Sequence, residues 1–245
     1  MAPVESLYVL YGSQMGNSEQ AATDFCTELE SKYTPDFFKA QGLSPVQVET
    51  TCMQLDDFLE IQHANFTKCI VIFVSSYGVG QAPLGAYRFR EVCDALAADE
   101  ATYKDTLTGL KYAICGLGDS TYPTKFKNPS AIDSGLTAAG AKRIGPMAKA
   151  DADGSDDEAQ DVTIANWIEG IWVPLAKEIS SDEKVDTKAM QAKMIPLLMK
   201  LDPDYTPPKA AQQGTGGRGV SQAILGLVGL SLLGVVGAVA ATNLK

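Results

Sequence analysis

Two apolar runs constrain this chain most: KCIVIFVSS (68–76) and LKYAICGLG (110–118). Both are nearly continuous, where a strand hidden on one face would alternate with polar residues. Burial on both faces is the mark of central strands in a parallel sheet layered between helices. Three more strand-like runs accompany them: SLYVLYG (6–12), VQVETTCM (46–53) and AKRIGPM (141–147). Helical stretches fall between and after them, over 17–33, 55–61, 86–98, 130–139 and 156–177. Trp167, Ile168, Ile171, Trp172 and Leu175 recur at helical spacing in the last, a stripe that faces a core. Five strand–helix units in about 170 residues predict an α/β fold, an open doubly wound five-stranded parallel sheet.

In such sheets ligands sit beyond the carboxyl ends of the strands, where strand order reverses. The loop after the first strand reads YGSQMGNSE (11–19) and offers Ser13, Gln14, Gly16, Asn17 and Ser18 where a helix opens, with Met15 among them. A helix N-terminus attracts anions through its dipole and unpaired N–H groups. No GK[ST] or GxGxxG follows, and no acid ends the second strand to hold a ribose. A monophosphate held without metal fits best, a plain capped helix being the alternative. The loop SSYGVGQAPLGA (75–86) brings Ser76, Tyr77, Gly78 and Gly80, and GLGDSTYP (116–123) brings Gly116, Leu117, Gly118, Asp119 and Tyr122. Two tyrosines from adjacent strand ends can sandwich a flat ring.

In order and at their intervals, YGSQMGNSE, SSYGVGQAP, CGLGDSTYP, AGAKRIGP and ADADG resemble the flavodoxin-like FMN domain of the diflavin reductases. The resemblance covers about residues 5–178 and implies strand order 2-1-3-4-5 and FMN as cofactor. It implies phosphate contacts from residues 13–18, Tyr77 and Tyr122 flanking the isoalloxazine, and backbone of 116–119 beside the ring. Phe126 falls in the same site, and Asp153 near the ribityl chain or ring edge. No FAD- or NADPH-binding half follows in the sequence. The expectation is therefore a one-electron carrier served by a separate reductase, not a self-sufficient oxidoreductase.

The chain departs from the family at three places. The family's first loop reads SQTGT or STGNT, and Met15 stands at the middle threonine, removing one phosphate hydroxyl. A hydrogen bond to a charged group is worth about 1.5–3 kcal/mol, roughly ten- to hundredfold in affinity. The family's GEGDPPD becomes Gly78-Val79-Gly80-Gln81-Ala82-Pro83-Leu84, losing three acids, which raises the expected reduction potential. After Tyr122, F-C-x-x-G becomes Lys125-Phe126-Lys127-Asn128-Pro129, so two lysines border the site. These changes support a second reading: a structural or assembly subunit of a membrane complex that keeps the fold with weak FMN binding or none.

Charge and the two ends bound the rest. All 30 acidic and 17 of the 20 basic residues precede residue 209, leaving that part at −13. This argues against nucleic acid and suits a basic protein partner. Five cysteines without CxxC read as small buried hydrophobes in a reducing compartment. Lone His63 reads as surface, with no metal spacing around it. Residues 1–179 form the expected FMN domain, and 180–222 a linker with a short amphipathic helix that Pro196 would break or kink. In that segment Met190, Met194 and Met199 have three available neighbours: the domain, lipid or a partner. AILGLVGLSLLGVVGAVAAT (223–242) is 20 uncharged residues, long enough as a helix to cross a bilayer. It is read as a C-terminal tail anchor in the endoplasmic reticulum or mitochondrial membrane, with the domain cytosolic.

Overall fold

The computed structural model describes residues 2–61 and 68–208. His63 and the 223–242 segment lie outside them. Among the described residues no helix is long and apolar enough to cross a membrane.

The element order is β1 (Val4–Gly12), α1 (Asn17–Lys32), α2 (Pro35–Ala40), β2 (Gln47–Gln54), α3 (Leu55–Phe58), β3 (Cys69–Ser75), α4 (Tyr87–Ala98), α5 (Glu100–Tyr103), β4 (Lys111–Gly118), α6 (Lys127–Ala138), β5 (Lys142–Arg143), β6 (Ala148–Asp151), α7 (Gln160–Ile179) and α8 (Thr187–Leu201). The sheet runs β2-β1-β3-β4-β5, every pairing parallel, as the sequence led us to expect. Strands β3 and β4 are its centre and are buried almost throughout.

Alternation along the strands sends side chains into two cores. Val71 and Phe73 join Leu7, Val9, Phe25, Trp167 and Trp172 under α1 and α7. Ile70, Ile72 and Val74 join Leu10, Phe89, Ile132 and Leu136 under α4 and α6. The tryptophan stripe of α7 is buried as its spacing predicts. Trp172 stacks on Phe25 at 4.8 Å, and Trp167 meets Phe73 edge-on at 5.6 Å. Such pairs add about 0.5–1.5 kcal/mol each beyond area burial.

The structure corrects the fifth strand. The run 141–147 does not form one strand but pairs with β4 only at Lys142 and Arg143, and pairing resumes at Ala148 in β6. Gly145, at φ 68°, turns the chain, and Pro146 has no N–H for the ladder. Among the described residues the sheet therefore has six strands. Two short helices escape the sequence pattern. Helix α2 begins with Pro35 after Thr34, whose hydroxyl accepts from Phe37 N at 3.2 Å. Helix α5 begins behind an Asp99 cap. The stretch expected over 55–61 shortens to the single turn of α3.

Pro196 does not break α8, which runs 15 residues through it. Leu197 and Leu198 directly after it are buried with Met190 and Met194, so packing holds the turn that propensity disfavours. Met199 stays exposed. Helix α8 thus belongs to the same compact unit as the sheet. It starts near the amino end of β4, where Lys111 pairs with Glu183 at 2.8 Å and Gly109 lies against the Lys184 backbone. It ends at the opposite pole, with Asp202 on Arg88 at 3.1 Å and the Arg88 guanidinium over the Tyr205 ring.

Candidate functional site

A cleft of about 660 Å³ opens beyond the carboxyl ends of β1, β3 and β4, at the point where strand order reverses. Small-molecule sites span roughly 300–1,000 Å³, so a nucleotide-sized ligand fits. Three loops and the start of α7 build it.

The first loop ends at Gly16, whose φ of 93° lets the chain turn into α1. Ser13 N donates to Leu84 O at 3.2 Å, and Gly16 N to Ser13 Oγ at 3.0 Å. No side chain caps α1, so its first N–H groups are free of side-chain partners, the arrangement in which helix N-termini accept anions. Ser18 is fully buried, yet its Oγ meets no hydrogen-bond partner. Leaving a buried hydroxyl unpaired costs about 1–3 kcal/mol, so this one, unlike a satisfied core hydroxyl, is available to a bound group. Met15 projects outward with 86% of its surface exposed.

The second loop is a tight hairpin. Tyr77 N donates to Gln81 O at 3.0 Å and Gln81 N to Tyr77 O at 2.8 Å. Gly78 and Gly80 take positive φ, and a Cβ at Gly80 would fall 2.6 Å from the Lys127 side chain. Asn128, fully buried, clamps this loop from α6. Its Nδ2 donates to Ser75 O at 2.8 Å, its backbone N to Ser76 Oγ at 3.1 Å, and its Oδ1 accepts from Arg90 at 3.1 Å.

In the third loop Asp119 accepts hydrogen bonds from the backbone and hydroxyl of Thr121. Asp151, at the end of β6, gathers the loop: it accepts from Ser120 N at 2.8 Å, Asp153 N at 3.1 Å and Lys125 Nζ at 3.3 Å. Burial opposes the charge of Asp151, but these donors outweigh it and hold its pKa below the usual carboxylate value. A carboxyl depressed in the folded state stabilises fully above its unfolded pKa of about 4, and that contribution is lost as pH falls through the lowered value. The stability gap between the native protein and Asp151→Asn is therefore expected to hold from pH 7 to about 5 and to narrow below about 4. Thermal unfolding across that range checks it, and a gap unchanged at the acid end contradicts it.

Ser13, Gln14, Met15, Asn17, Ser18, Ser76, Tyr77, Gly78, Leu117, Gly118, Asp119 and Tyr122 all line the cleft. Tyr77 and Tyr122 stand half-exposed on it. Gly16, Gly80, Gly116, Phe126 and Asp153 do not line it. Gly116 is required by packing, since a Cβ there would lie 2.8 Å from Pro129. Gly118 is hemmed in the same way: a Cβ there would lie 2.2 Å from Lys125 O and 2.8 Å from the Phe126 ring. Lys127, expected at the border with Lys125, packs behind the hairpin, while Lys125 lines the cleft. Ser75, Val79, Gln81, Thr124, Ala152 and Gln160 also line it. Gln160 arrives from the first turn of α7. It accepts from Asn17 Nδ2 at 3.2 Å and donates to Ala150 O at 3.2 Å, tying the first loop to β6. A lone glutamine at a helix start carries no signal in sequence.

NADPH–cytochrome P450 reductase of Saccharomyces cerevisiae is 33% identical over 180 residues, 72% of this chain and 22% of that protein. The sulfite reductase [NADPH] flavoprotein alpha-component of Bacillus subtilis is 30% identical over 163 residues, 66% of this chain and 22% of that protein. The chain thus spans about a fifth of the length of these curated relatives. Among solved structures, oxidised Flavodoxin 1 from Bacillus cereus aligns with a TM-score of 0.48 at 18% identity, over 73% of this chain and 99% of that one. The Flavodoxin family pattern matches residues 9–165, through every strand and loop that builds the cleft, and the chain accordingly belongs to the flavodoxin family of FMN-binding domains.

Proposed function

We propose that the protein is an FMN-dependent electron carrier, held on a membrane by residues 223–242, that passes electrons from a separate reductase to an acceptor. The observation that carries the cofactor is the orphaned Ser18 hydroxyl, buried at the uncapped start of α1 and lining the cleft. FMN bound there supplies reversible one-electron chemistry. Ser18, Ser13 and the first N–H groups of α1 would hold its phosphate, and Tyr77 and Tyr122 would face its ring. The Asn128 and Asp151 clamps keep those two tyrosine loops in place without ligand. With Val79 and Leu84 exposed where the family carries acids, that part of the rim is apolar. The strong negative charge of residues 1–208 fits a basic partner, steered in from a distance.

Full-length protein purified in detergent is expected to be yellow and to release FMN on denaturation. A colourless protein that ignores micromolar FMN would sink the reading. It would favour instead a structural subunit of a membrane complex, for which exposed Val79 and Leu84 are the contact residues and stoichiometric copurification with other subunits is the sign. Met15→Thr restores a hydroxyl beside the phosphate loop and is expected to tighten FMN binding roughly tenfold by fluorescence titration. Unchanged affinity would mean that side chain 15 does not reach the phosphate. Alkaline washing of isolated endoplasmic reticulum and mitochondrial membranes tests the anchor. Retention in the pellet, lost on deleting 223–242, is expected.

A further inference from the structure

We propose that Gln160 is a specificity-determining positioning residue. It fixes the Asn17 amide so that Asn17 offers the cleft an N–H, which selects a phosphate monoester over the corresponding alcohol. The inference rests on the FMN reading above and names the residue that tells FMN from riboflavin, its phosphate-free form.

The polarity starts in the backbone. Ala150 lies within β6 and Gly118 ends β4, so the sheet sets both carbonyls. Gly118 O also accepts from Ala152 N at 2.8 Å. Gln160 Nε2 donates to Ala150 O at 3.2 Å and to Gly118 O at 3.4 Å. A flipped amide would turn Oε1 toward two acceptors, so only one orientation is satisfied. That orientation leaves Oε1 to accept, and Asn17 Nδ2 donates to it at 3.2 Å across 143 positions of sequence. The Asn17 amide is thereby oriented in turn. Its nitrogen carries two protons, one of which goes to Gln160. The other remains for the cleft, which Asn17 and Gln160 both line.

This donor stands where the cleft is prepared for an anion. Asn17 is the first residue of α1, and the next residue is Ser18, whose fully buried Oγ has no partner in the protein. An ionised phosphate monoester has only acceptor oxygens. An asparagine turned carbonyl-first would repel it, whereas one turned N–H-first gives it a charge-assisted hydrogen bond. An alcohol both donates and accepts, so it is indifferent to which end of the amide it meets. Holding the amide therefore strengthens phosphate binding and leaves alcohol binding as it was. Gln160 does this through Asn17, without touching the phosphate.

The full-length native protein and Gln160→Met, which keeps the side-chain length without its polar atoms, are titrated with FMN and with riboflavin by flavin fluorescence. The native preference for FMN over riboflavin should fall about tenfold in the variant, roughly the worth of one hydrogen bond to a charged group. Riboflavin affinity should stay as it was. Asn17→Ala should lower the preference by at least as much, and adding Gln160→Met to it should lower the preference no further. Equal losses for both flavins would make Gln160 a structural tie and overturn the proposal, as would an unchanged preference or additive effects of the two substitutions. A native protein that takes up neither flavin overturns the proposed function and this inference together. If the variants do not fold, the native protein decides: inorganic phosphate should move the Asn17 side-chain amide signal in NMR spectra, and a signal that stays put overturns the proposal.

Discussion

Asn128→Ala is expected to destabilise the protein by about 3 kcal/mol. The side chain is fully buried, and both of its polar atoms are engaged. Truncation strands the Ser75 carbonyl and one Arg90 donor, each worth about 1–3 kcal/mol when left unpaired, and leaves a void besides. Arg90 keeps Asp94 at 2.8 Å, which limits its share. The urea midpoint of the full chain reads the effect, with the slope unchanged. A loss under about 0.5 kcal/mol would mean that water replaces the amide and the clamp is dispensable. Because Ser75 and Ser76 lead into Tyr77, FMN affinity should fall alongside stability.

Ser18→Ala is expected to split those two readouts. The hydroxyl has no partner in the protein, so removing it relieves a buried unsatisfied group, and the ligand-free domain should be as stable as before or slightly more so. FMN affinity should drop roughly ten- to hundredfold, the worth of one hydrogen bond to a charged phosphate. Melting of the ligand-free protein and an FMN titration test it together. A variant less stable without ligand would place Ser18 among ordinary core contacts. Equal affinity would place the phosphate elsewhere.

The central strands, both core faces and the tryptophan stripe were legible because burial on two faces or one leaves a direct periodic trace. Ser18 and the two cleft tyrosines were legible because strand-to-helix loops reuse few solutions. Three features were hidden for different physical reasons. Gln160 and Asp151 act across the fold, and nothing local distinguishes them from surface polar residues. Gly116 looks like a ligand-facing glycine, but its missing Cβ makes room for Pro129, a contact only tertiary structure reveals. Pro196 obeys the rule that disfavours it in a helix, yet a buried Met190, Met194, Leu197 and Leu198 face outweighs that cost.

Helix α8 also sets the polarity of the domain's exits. Helix α7 leaves from Gln160 at the cleft and ends near Lys68, which donates to Ser181 O at 2.6 Å beyond the opposite ends of the strands. A chain released there would hang from the domain's back. Helix α8 reverses the course, and Asp202 and Tyr205 dock at Arg88, in the first turn of α4 beside the cleft's second loop. The last described residues are therefore held on the cleft side of the domain, and cutting the Asp202–Arg88 and Tyr205 moorings would free that stretch from α4.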